Sequence, residues 1–460
     1  MKFKQGINKN QEFLFAKKPE DFLPDEHLAK AIYEVVEHLG LSEIESKYSN
    51  LGQNAYNPKM MTRLIFNGYS VGIRSSRKIS KACQERLDFM YLSDGFKPSH
   101  DRISDFRKNN LEELKEIFKE IVIMGVNLGL AKIGNISTSI DGSKVRANAS
   151  AKLTKDEEGL QKLLDKTKKE IDKWFEEAER IDAEEDEKYG KENRGDELPE
   201  HLRSKESRKK AIEEAIKKLK EQKEQMKEKI KEEKKRDPTQ RELTEIEATK
   251  INVTDHDAKF MKERSGVIKT NYNVQISVDE EEQFILANDV TGECNDAHQL
   301  VPMLMQTKGN IGKAPDKAKA DNGYYTQLEE SRKLFPETDL YIDDPKRREE
   351  NLDLQKIKEE YSEFQYENLK KLLTDEGKKE YKKRMHTAEP PIGDMKFNYG
   401  YRYFILRGLK KVKGEFNLMS IAHNIKKIWR FIIKKGIDLA LALKDIKNLV
   451  KSEKMDGISC

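Results

Sequence analysis

The sequence has little cysteine, and the cysteines it has are scattered. Only 3 of the 460 residues are cysteine, at positions 83, 294 and 460, and no two of them form a CxxC pair. This spacing excludes a zinc site built on cysteine and fits a reducing compartment, where disulfides are rare. The histidines share no metal-ligand spacing either, which argues against zinc altogether.

Long apolar runs are also missing. No stretch approaches the ~20 apolar residues that a membrane-spanning helix needs. The first residues, Met-Lys-Phe-Lys-Gln-Gly, lack the apolar core of a secretory signal. We therefore expect a soluble, cytoplasmic protein without a membrane partner.

The chain has no large excess of charge of one sign. Its 88 basic residues nearly balance 84 acidic ones, and the formal net charge is +4. The total charge therefore does not decide whether the partner is a polyanion, and the local distribution has to. Charged residues make up 37% of the chain, but they concentrate in one region, so the remainder can still bury a core.

Residues 1–130 predict a helical N-terminal domain. Apolar residues recur at helical spacing from Leu28 to Leu39, and Pro58 starts a further helix. A glycine turn then leads into a third helix with a basic face that we expect to be exposed. That face comprises Arg74, Arg77 and Lys78. It predicts a helix-turn-helix-like DNA-binding domain, and the alternative is a small helical bundle with a solvated basic face.

Residues 131–150 and 251–412 predict a mixed α/β sheet with helices. One short β-prone run ends in Asp141, and another ends in Asp321. Residues 272–278 alternate with period two and pair in a predicted hairpin with the run that begins at residue 284. Asp296, with the asparagine before it, is expected to cap the helix that follows. Strands and helices in this order favour a single mixed sheet.

The segment 151–250 has a different composition, dominated by Lys and Glu. Two apolar stripes at helical spacing are separated by a break at residues 189–199. The pattern predicts a long antiparallel helical hairpin, inserted between the first strand and the rest of the sheet. It would grip DNA or a second subunit, or act only as a solvated spacer. Residues 413–460 predict basic C-terminal helices.

Three carboxylates are the candidates for chemistry. Asp141 and Asp321 each close a predicted strand, and Glu389 falls in the first turn of a helix that Thr387 is expected to cap. Phosphodiester chemistry needs an activated oxygen nucleophile and a stabilised leaving oxygen, which divalent ions held by carboxylates supply. Each acid also has an ordinary alternative. Asp-Gly and Asp-Asn-Gly are common turns, and Glu389 with Lys396 fits a solvated ion pair.

The order of these elements resembles a known family. Strand-Asp141, strand-Asp321 and helix-Glu389, with Tyr381 and Arg384 before the glutamate and Lys396 after it, are similar to the DDE transposases of bacterial insertion sequences. The branch it resembles has a helical N-terminal domain. Further motifs typical of that branch are Ile-Asp-Gly-Ser at 140–143, Thr-Asp-His-Asp at 254–257, Tyr-Asn-Val-Gln at 272–275, Asn-Asp-Ala-His at 295–298, Ala-Asp-Asn-Gly-Tyr at 320–324, Thr-Ala-Glu-Pro at 387–390, Arg-Gly-Leu-Lys at 407–410 and Ala-His-Asn-Ile at 422–425.

The resemblance implies a ribonuclease-H-like catalytic core that uses Mg²⁺ or Mn²⁺, as two ions. Asp141, Asp321 and Glu389 would be the metal ligands. The DNA phosphates near the cut would be contacted by Tyr381, Arg384 and Lys396.

The resemblance also implies an activity and its partners. The enzyme would bind the terminal inverted repeats of an insertion sequence, cleave double-stranded DNA at the transposon ends and join the 3′-hydroxyls to target DNA. It would act as a homodimer in a synaptic complex, in the bacterial cytoplasm and in association with the nucleoid.

Some alternatives stay open. Four residues separate Arg384 from Glu389, where the family pattern has three. Glu415, at a helix start in a basic segment, is therefore an alternative third acid, although it lacks a tyrosine and an arginine at the right offset. The alternative functions are a metal-dependent DNA nuclease that cuts without joining, and a catalytically silent DNA-binding or scaffold protein.

Overall fold

A computed structural model describes residues 19–48, 54–132, 134–181, 205–263, 265–349 and 352–444. The chain is mixed α/β and largely helical, with a mixed sheet, as the sequence predicts. Within these ranges no helix is both long enough and apolar enough to cross a lipid bilayer.

The helices and strands follow one another along the chain as listed here. The first part contains α1 (Leu28–His38), α2 (Ser42–Glu45), α3 (Pro58–Ser70), α4 (Ser76–Glu85), α5 (Leu87–Leu92), α6 (His100–Asn109), α7 (Glu113–Asn127), β1 (Ser137–Arg146), β2 (Thr154–Lys155), α8 (Glu157–Ile181), α9 (Lys205–Lys234), α10 (Gln240–Glu247) and β3 (Ile251–Asn252). The second contains β4 (Lys259–Lys262), β5 (Ile268–Asp279), β6 (Ile285–Thr291), α11 (Leu300–Ile311), β7 (Lys317–Ala320), α12 (Leu328–Leu334), β8 (Asp339–Ile342), α13 (Leu354–Glu360), α14 (Glu363–Leu373), α15 (Asp375–Lys382), α16 (Arg384–Thr387), α17 (Glu389–Gly393) and α18 (Leu409–Lys435).

The predicted helix, glycine turn and helix are present as α3 and α4. Pro58 starts α3, where a missing N–H is tolerated, and the Asn57 side chain caps the helix by accepting from the Lys59 N–H at 2.8 Å. In the turn that follows, Gly72 has a φ of 77°, which glycine adopts without strain. The helix, turn and helix that the sequence predicts in this segment are therefore present in the structure.

The candidate acids belong to strands of one mixed sheet. β1 pairs antiparallel with β5 on one side and parallel with β7 on the other. β8 extends the sheet parallel to β7, while β4 and β6 both pair with the far edge of β5. β1 is therefore the strand at which the sheet changes from antiparallel to parallel.

Two long helices, α8 and α9, lie between β1 and β5 in sequence, in the Lys/Glu-rich segment. Glu157 at the start of α8 pairs with Lys223 of α9 at 2.9 Å, so the two helices pack side by side. Leu160, Ile212 and Leu219 belong to a small apolar core between them. The two-stranded antiparallel β2–β3 ladder joins the residues just before α8 to those just after α10. The predicted break at residues 189–199 lies outside the described residues.

One hydrophobic core joins the N-terminal helices, one face of the sheet and the C-terminal helix α18. Phe66 of α3, Phe284 at the start of the β6 region and Ile425 of α18 are all buried in it. The Asn424 side chain fixes α18 to the sheet edge, because it accepts from the Ile285 N–H at 2.9 Å and donates to the Ile285 carbonyl at 2.8 Å. The sheet is thus held between these helices and α11, which packs against β6 and β5.

Candidate active site

Three aspartates stand side by side where the parallel strands β1, β7 and β8 lie next to one another. The parallel register of β1 against β7, continued along the strands, brings Asp141 level with Asp321. The register of β7 against β8 brings Asp321 level with Asp343 in the same way. Neighbouring strands lie about 4.8 Å apart. The two aspartates that the sequence selects are therefore neighbours in space.

Asp141 does not close its strand, contrary to the sequence prediction. β1 continues to Arg146 because β5 goes on pairing with it, from Ile276 opposite Asp141 to Asn271 opposite Arg146. Only the parallel pairing with β7 stops before Asp141. The Asp141 side chain is nearly buried, and its Oδ1 lies 3.4 Å from Nη1 of Arg384.

Asp321 comes directly after β7 and turns the chain. Its carboxylate accepts a hydrogen bond from the Gly323 N–H at 2.9 Å and so caps the 3₁₀ turn that follows. Burial raises the pKa of Asp321; the Arg384 guanidinium and the Gly323 N–H oppose the rise, and the carboxylates of Asp296 and Asp343 add to it. Asp321 therefore both caps a turn and lies among neighbouring carboxylates.

Asp296 is the fourth acid near this edge, although the sequence predicts it as a helix cap. It lies in the loop between β6 and α11, and its Oδ1 accepts hydrogen bonds from Asn273 Nδ2 at 2.7 Å and Gln275 Nε2 at 2.6 Å. The helix α11 begins only after Gln299 and has no side-chain cap. The sequence does carry a signal for this contact, namely two amides at alternate positions of a buried strand.

Four more of the predicted site residues lie on one nearly continuous helical stretch, residues 375–398: Tyr381, Arg384, Glu389 and Lys396. α15, α16, α17 and a π-helical turn follow one another, and the residues that link them keep helical backbone angles. The prediction that Thr387 caps a new helix is wrong. Its Oγ1 donates to the Lys383 carbonyl at 2.9 Å, a contact made by threonines inside helices.

The proline pair interrupts this stretch without ending it. Pro390 has no N–H for the carbonyl of His386, one turn earlier. Gln283 Nε2 donates to that carbonyl instead, at 2.8 Å, so the interrupted backbone group is still satisfied. The chain can therefore stay helical through Glu389.

Arg384 connects the helical stretch to the strands. Besides its contact with Asp141, its guanidinium lies 5.8 Å from the ring centre of Tyr381. Burial alone would lower the pKa of Arg384, but Tyr381 and the charges of Asp141 and Asp321 outweigh it and raise the pKa. Tyr381 itself is buried against Tyr341.

Lys396 reaches β1 from the π-helical turn. Its Nζ donates to Ser143 Oγ at 2.7 Å and to the Lys144 carbonyl at 2.6 Å. Its ammonium group therefore lies beside the segment that follows Asp141. Glu389 opens α17, between Arg384 and Lys396 on the same stretch, and its side chain is partly exposed.

Buried ion pairs fix the helical stretch to β7. Lys319, wholly buried just before Asp321, pairs with Glu280 and, at 2.9 Å, with Glu380. Lys383 pairs with the same two carboxylates, at 3.0 and 2.8 Å. Because Glu380 lies in α15, this network sets the position of the tyrosine and the arginine relative to the strand that leads to Asp321.

Arg74 and Glu415 have a structural role, which corrects two expectations. Arg74 is buried rather than exposed, and its Nη1 lies 3.0 Å from Oε1 of the wholly buried Glu415. The Glu415 carboxylate also accepts hydrogen bonds from two backbone N–H groups of the loop before α18. It is therefore committed elsewhere and is not a third metal ligand. Arg77 and Lys78 are exposed on α4, as expected.

The chemistry of the donor atoms fits a hard divalent ion, because carboxylate oxygens are the ligands that Mg²⁺ prefers. In the part of the chain that the structure describes, no three acidic, histidine or cysteine side chains converge as closely as an ion requires. Cations of the chain lie beside the acids, with Arg384 at Asp141 and the Lys144 ammonium 3.9 Å from Asp296. Binding an ion therefore requires a rearrangement of side chains.

Comparison with protein families identifies two segments. A model described as "Transposase domain (DUF772)" matches residues 17–109, which include α1, α3 and α4. A model described as "Transposase DDE domain" matches residues 345–429, which carry Tyr381, Arg384, Glu389 and Lys396. Searches of curated proteins and of solved structures gave no match. These two matches support a DDE transposase of the insertion-sequence type, and the DDE domain indicates a DNA-cleaving and DNA-joining enzyme.

Proposed function

We propose that this transposase cuts double-stranded DNA at the ends of its element and joins the 3′-hydroxyls to target DNA at the edge formed by Asp141 and Asp321. One observation carries the proposal. Two carboxylates stand level on neighbouring parallel strands, and Arg384, from the segment that matches the DDE domain, reaches one of them at 3.4 Å. Carboxylates fixed on strands give the rigid placement that phosphoryl chemistry needs.

The catalytic core would be ribonuclease-H-like and would comprise residues 131–150 and 251–412. The support is the sheet, in which β1 has antiparallel β5 on one side and parallel β7 and β8 on the other. Residues 1–130 would be a helical DNA-binding domain, residues 151–250 a helical-hairpin insertion and residues 413–460 basic C-terminal helices. The core shared by α3, the sheet and α18 implies that end recognition and chemistry move together.

Asp141, Asp321 and Glu389 would hold two divalent ions, Mg²⁺ or Mn²⁺. Such ions, when bound, supply the charge that activates an attacking oxygen and stabilises a leaving one. The near-burial of Asp141 and the ion pairs around Lys319 keep the carboxylates fixed relative to each other. Glu389 would approach them from the helical stretch when the side chains rearrange.

The chain's own cations would hold and orient the DNA. Lys396, already beside the strand segment after Asp141, would contact a phosphate next to the cut, and Arg384 would turn from Asp141 toward another. Tyr381 would act mainly by supporting Arg384, because the tyrosine is buried. Exposed Arg77 and Lys78 on α4 would bind the terminal inverted repeats. A homodimer would bring two ends together.

A cleavage assay with the full chain tests this proposal. The substrate is a duplex that carries the terminal repeat of the element, with Mn²⁺ present. Asp141→Asn should abolish strand cleavage and leave end binding nearly unchanged. Asp289→Asn is the matched control, since Asp289 is partly exposed in β6 and pairs with Lys413 at 2.7 Å; its cleavage should stay at the wild-type level.

Two results would contradict the proposal. Unchanged cleavage by the Asp141→Asn variant would show that the chemistry lies elsewhere. Cleavage by the wild-type chain without joined products, when pre-cut ends are supplied, would identify a nuclease that does not transfer strands.

A further inference from the structure

Two aromatic side chains are exposed beside the segment of β1 that follows Asp141. Phe397 is 68% exposed and Tyr403 is 51% exposed. Phe397 comes directly after Lys396, whose Nζ donates to the Lys144 carbonyl of β1. Large apolar side chains that are exposed close to one another commonly mark a binding surface.

The backbone fixes both rings at this place. Tyr403 forms a parallel bridge with Arg146, the last residue of β1, and the Phe404 N–H donates to the Arg146 carbonyl at 2.9 Å. Arg146 lies about 17 Å along the strand from Asp141, which is the length of about five base pairs of duplex DNA. The rings are therefore within a few base pairs of the carboxylate.

Each ring has a guanidinium over one face. Arg402 lies 5.2 Å from the ring centre of Phe397, and Arg74 lies 5.0 Å from that of Tyr403. Because Arg74 is buried, it holds the Tyr403 ring in a fixed orientation. Since each ring is still half or more exposed, it has aromatic surface available to a partner.

The charge around the rings is positive. Arg146 and Arg402 are both exposed, and neither forms an ion pair with a carboxylate in the part of the chain that the structure describes. Cations among aromatic rings suit a nucleic acid, because cations bind phosphates and rings stack on bases. Bases inside a duplex already stack on one another, whereas the terminal base pair of a cut end has one open face.

We propose that Phe397 and Tyr403 form a platform on which the terminal base of a cut DNA end stacks, while Arg146 and Arg402 bind the phosphates of that end. The platform would keep the end in place between cleavage and joining. The inference rests on the proposed function, because only an enzyme that cuts and joins at this edge has such an end to retain.

The test compares how tightly the full chain binds two duplexes in EDTA, where neither is cut. Both carry the terminal repeat; one stops at the cut and the other continues into flanking DNA, and hairpin loops close every other end. Phe397→Ala should weaken binding to the pre-cut duplex about tenfold, as the loss of one base–aromatic stack does. Binding to the continuous duplex should stay at the wild-type level. Equal weakening on both duplexes, or none on the pre-cut one, would overturn the inference.

Two further substitutions at the same position separate stacking from simple apolar contact. Phe397→Trp keeps a flat ring and should bind the pre-cut duplex as the wild type does. Phe397→Leu keeps an apolar side chain without a flat face and should behave like Phe397→Ala. Tight binding by the leucine variant would contradict stacking. Phe96→Ala is the matched control, since Phe96 is 56% exposed between α5 and α6, and its ratio of the two affinities should equal that of the wild type.

A variant that keeps both rings guards against misfolding. Arg402→Gln should lower the salt dependence of binding to the pre-cut duplex by about one unit of slope, the contribution of one phosphate contact. Should the Phe397 variants fail to fold, this variant decides, and a wild-type slope would overturn the inference.

Two other results identify the cause of a failure. If Phe397→Ala binds the pre-cut duplex normally while Asp141→Asn abolishes cleavage, only the platform is wrong. If Asp141→Asn still cleaves, the proposed active site itself is wrong. A changed oligomeric state of Phe397→Ala without DNA, measured by sedimentation, would show that the rings contact a second copy of the chain and would overturn the inference.

Discussion

Replacing Arg384 by glutamine is expected to tighten the binding of Mn²⁺ to the DNA-free protein. The side chains of Arg384 and Asp141 are 13% and 5% exposed, so mobile salt screens their attraction little. At 3.4 Å and an effective dielectric constant of about 20, that attraction is about 5 kcal/mol before desolvation is subtracted. An ion that binds Asp141 has to compete with this guanidinium. If removal of the arginine makes about 2 kcal/mol of this attraction available for binding the ion, the affinity for Mn²⁺ rises about thirtyfold.

The same substitution has an opposite effect on the metal-free fold. Asp141 stays buried but loses a charged partner, which lowers the free energy of unfolding by about 3–5 kcal/mol. Thermal unfolding in EDTA measures this loss, and a Mn²⁺ titration by calorimetry measures the gain in affinity. Strand cleavage should fall at the same time, because the variant can no longer contact a phosphate with this side chain.

Lys382→Gln is the matched control for this experiment. It removes one positive charge two residues before Arg384, from a side chain that is exposed on α15. Its Mn²⁺ affinity should match that of the wild type. An affinity of Arg384→Gln at or below the wild-type value would refute the idea that this arginine competes with the ion.

Other predictions follow from the same contacts. Gly142→Ala should lower the melting temperature, because its Cβ would stand 2.5 Å from Gln275 Nε2 and 2.6 Å from Asp296 Oδ1; a wild-type melting curve would contradict this. Glu415→Gln should lower the free energy of unfolding in urea by about 3–5 kcal/mol, because it leaves the Arg74 cation buried and unpaired; a change below about 1 kcal/mol would contradict this. Burial would raise the pKa of Glu380, but hydrogen bonds from two lysines outweigh it and lower the pKa to about 2 from its ordinary 4.5. The stability this group contributes is therefore complete above about pH 4.5 and lost as the pH falls toward 2, and Glu380→Gln should remove that part of the acid-unfolding curve.

Local patterns in the sequence were sufficient for the strands that carry the first two acids. Short β-prone runs before Asp141 and Asp321 correspond to β1 and β7. Thr138 and Ile140 are β-branched, and Ala318 and Ala320 alternate with two lysines. The period-two alternation at 272–278 likewise corresponds to part of β5. That Asp141 and Asp321 are level, however, depends on the register between two strands far apart in sequence.

Contacts between distant segments explain the predictions that failed. Arg74 looks like a surface residue in its own segment, and only the fold brings it to Glu415, far along the chain. Asp296 resembles a helix cap, and only the pairing of β5 with β6 brings two amides within reach of it. Thr387 fails as a cap because the backbone stays helical at Ala388, and the Gln283 side chain satisfies the His386 carbonyl that Pro390 leaves open.

Asp141 and Asp321 are proposed to form the metal-binding edge of the active site, and anomalous diffraction from crystals soaked in Mn²⁺ tests this. We expect an anomalous peak between the carboxylates of Asp141 and Asp321, with the Glu389 side chain turned toward it. Mn²⁺ bound elsewhere, or Glu389 pointing away from both aspartates, would show that the metal site is assigned wrongly.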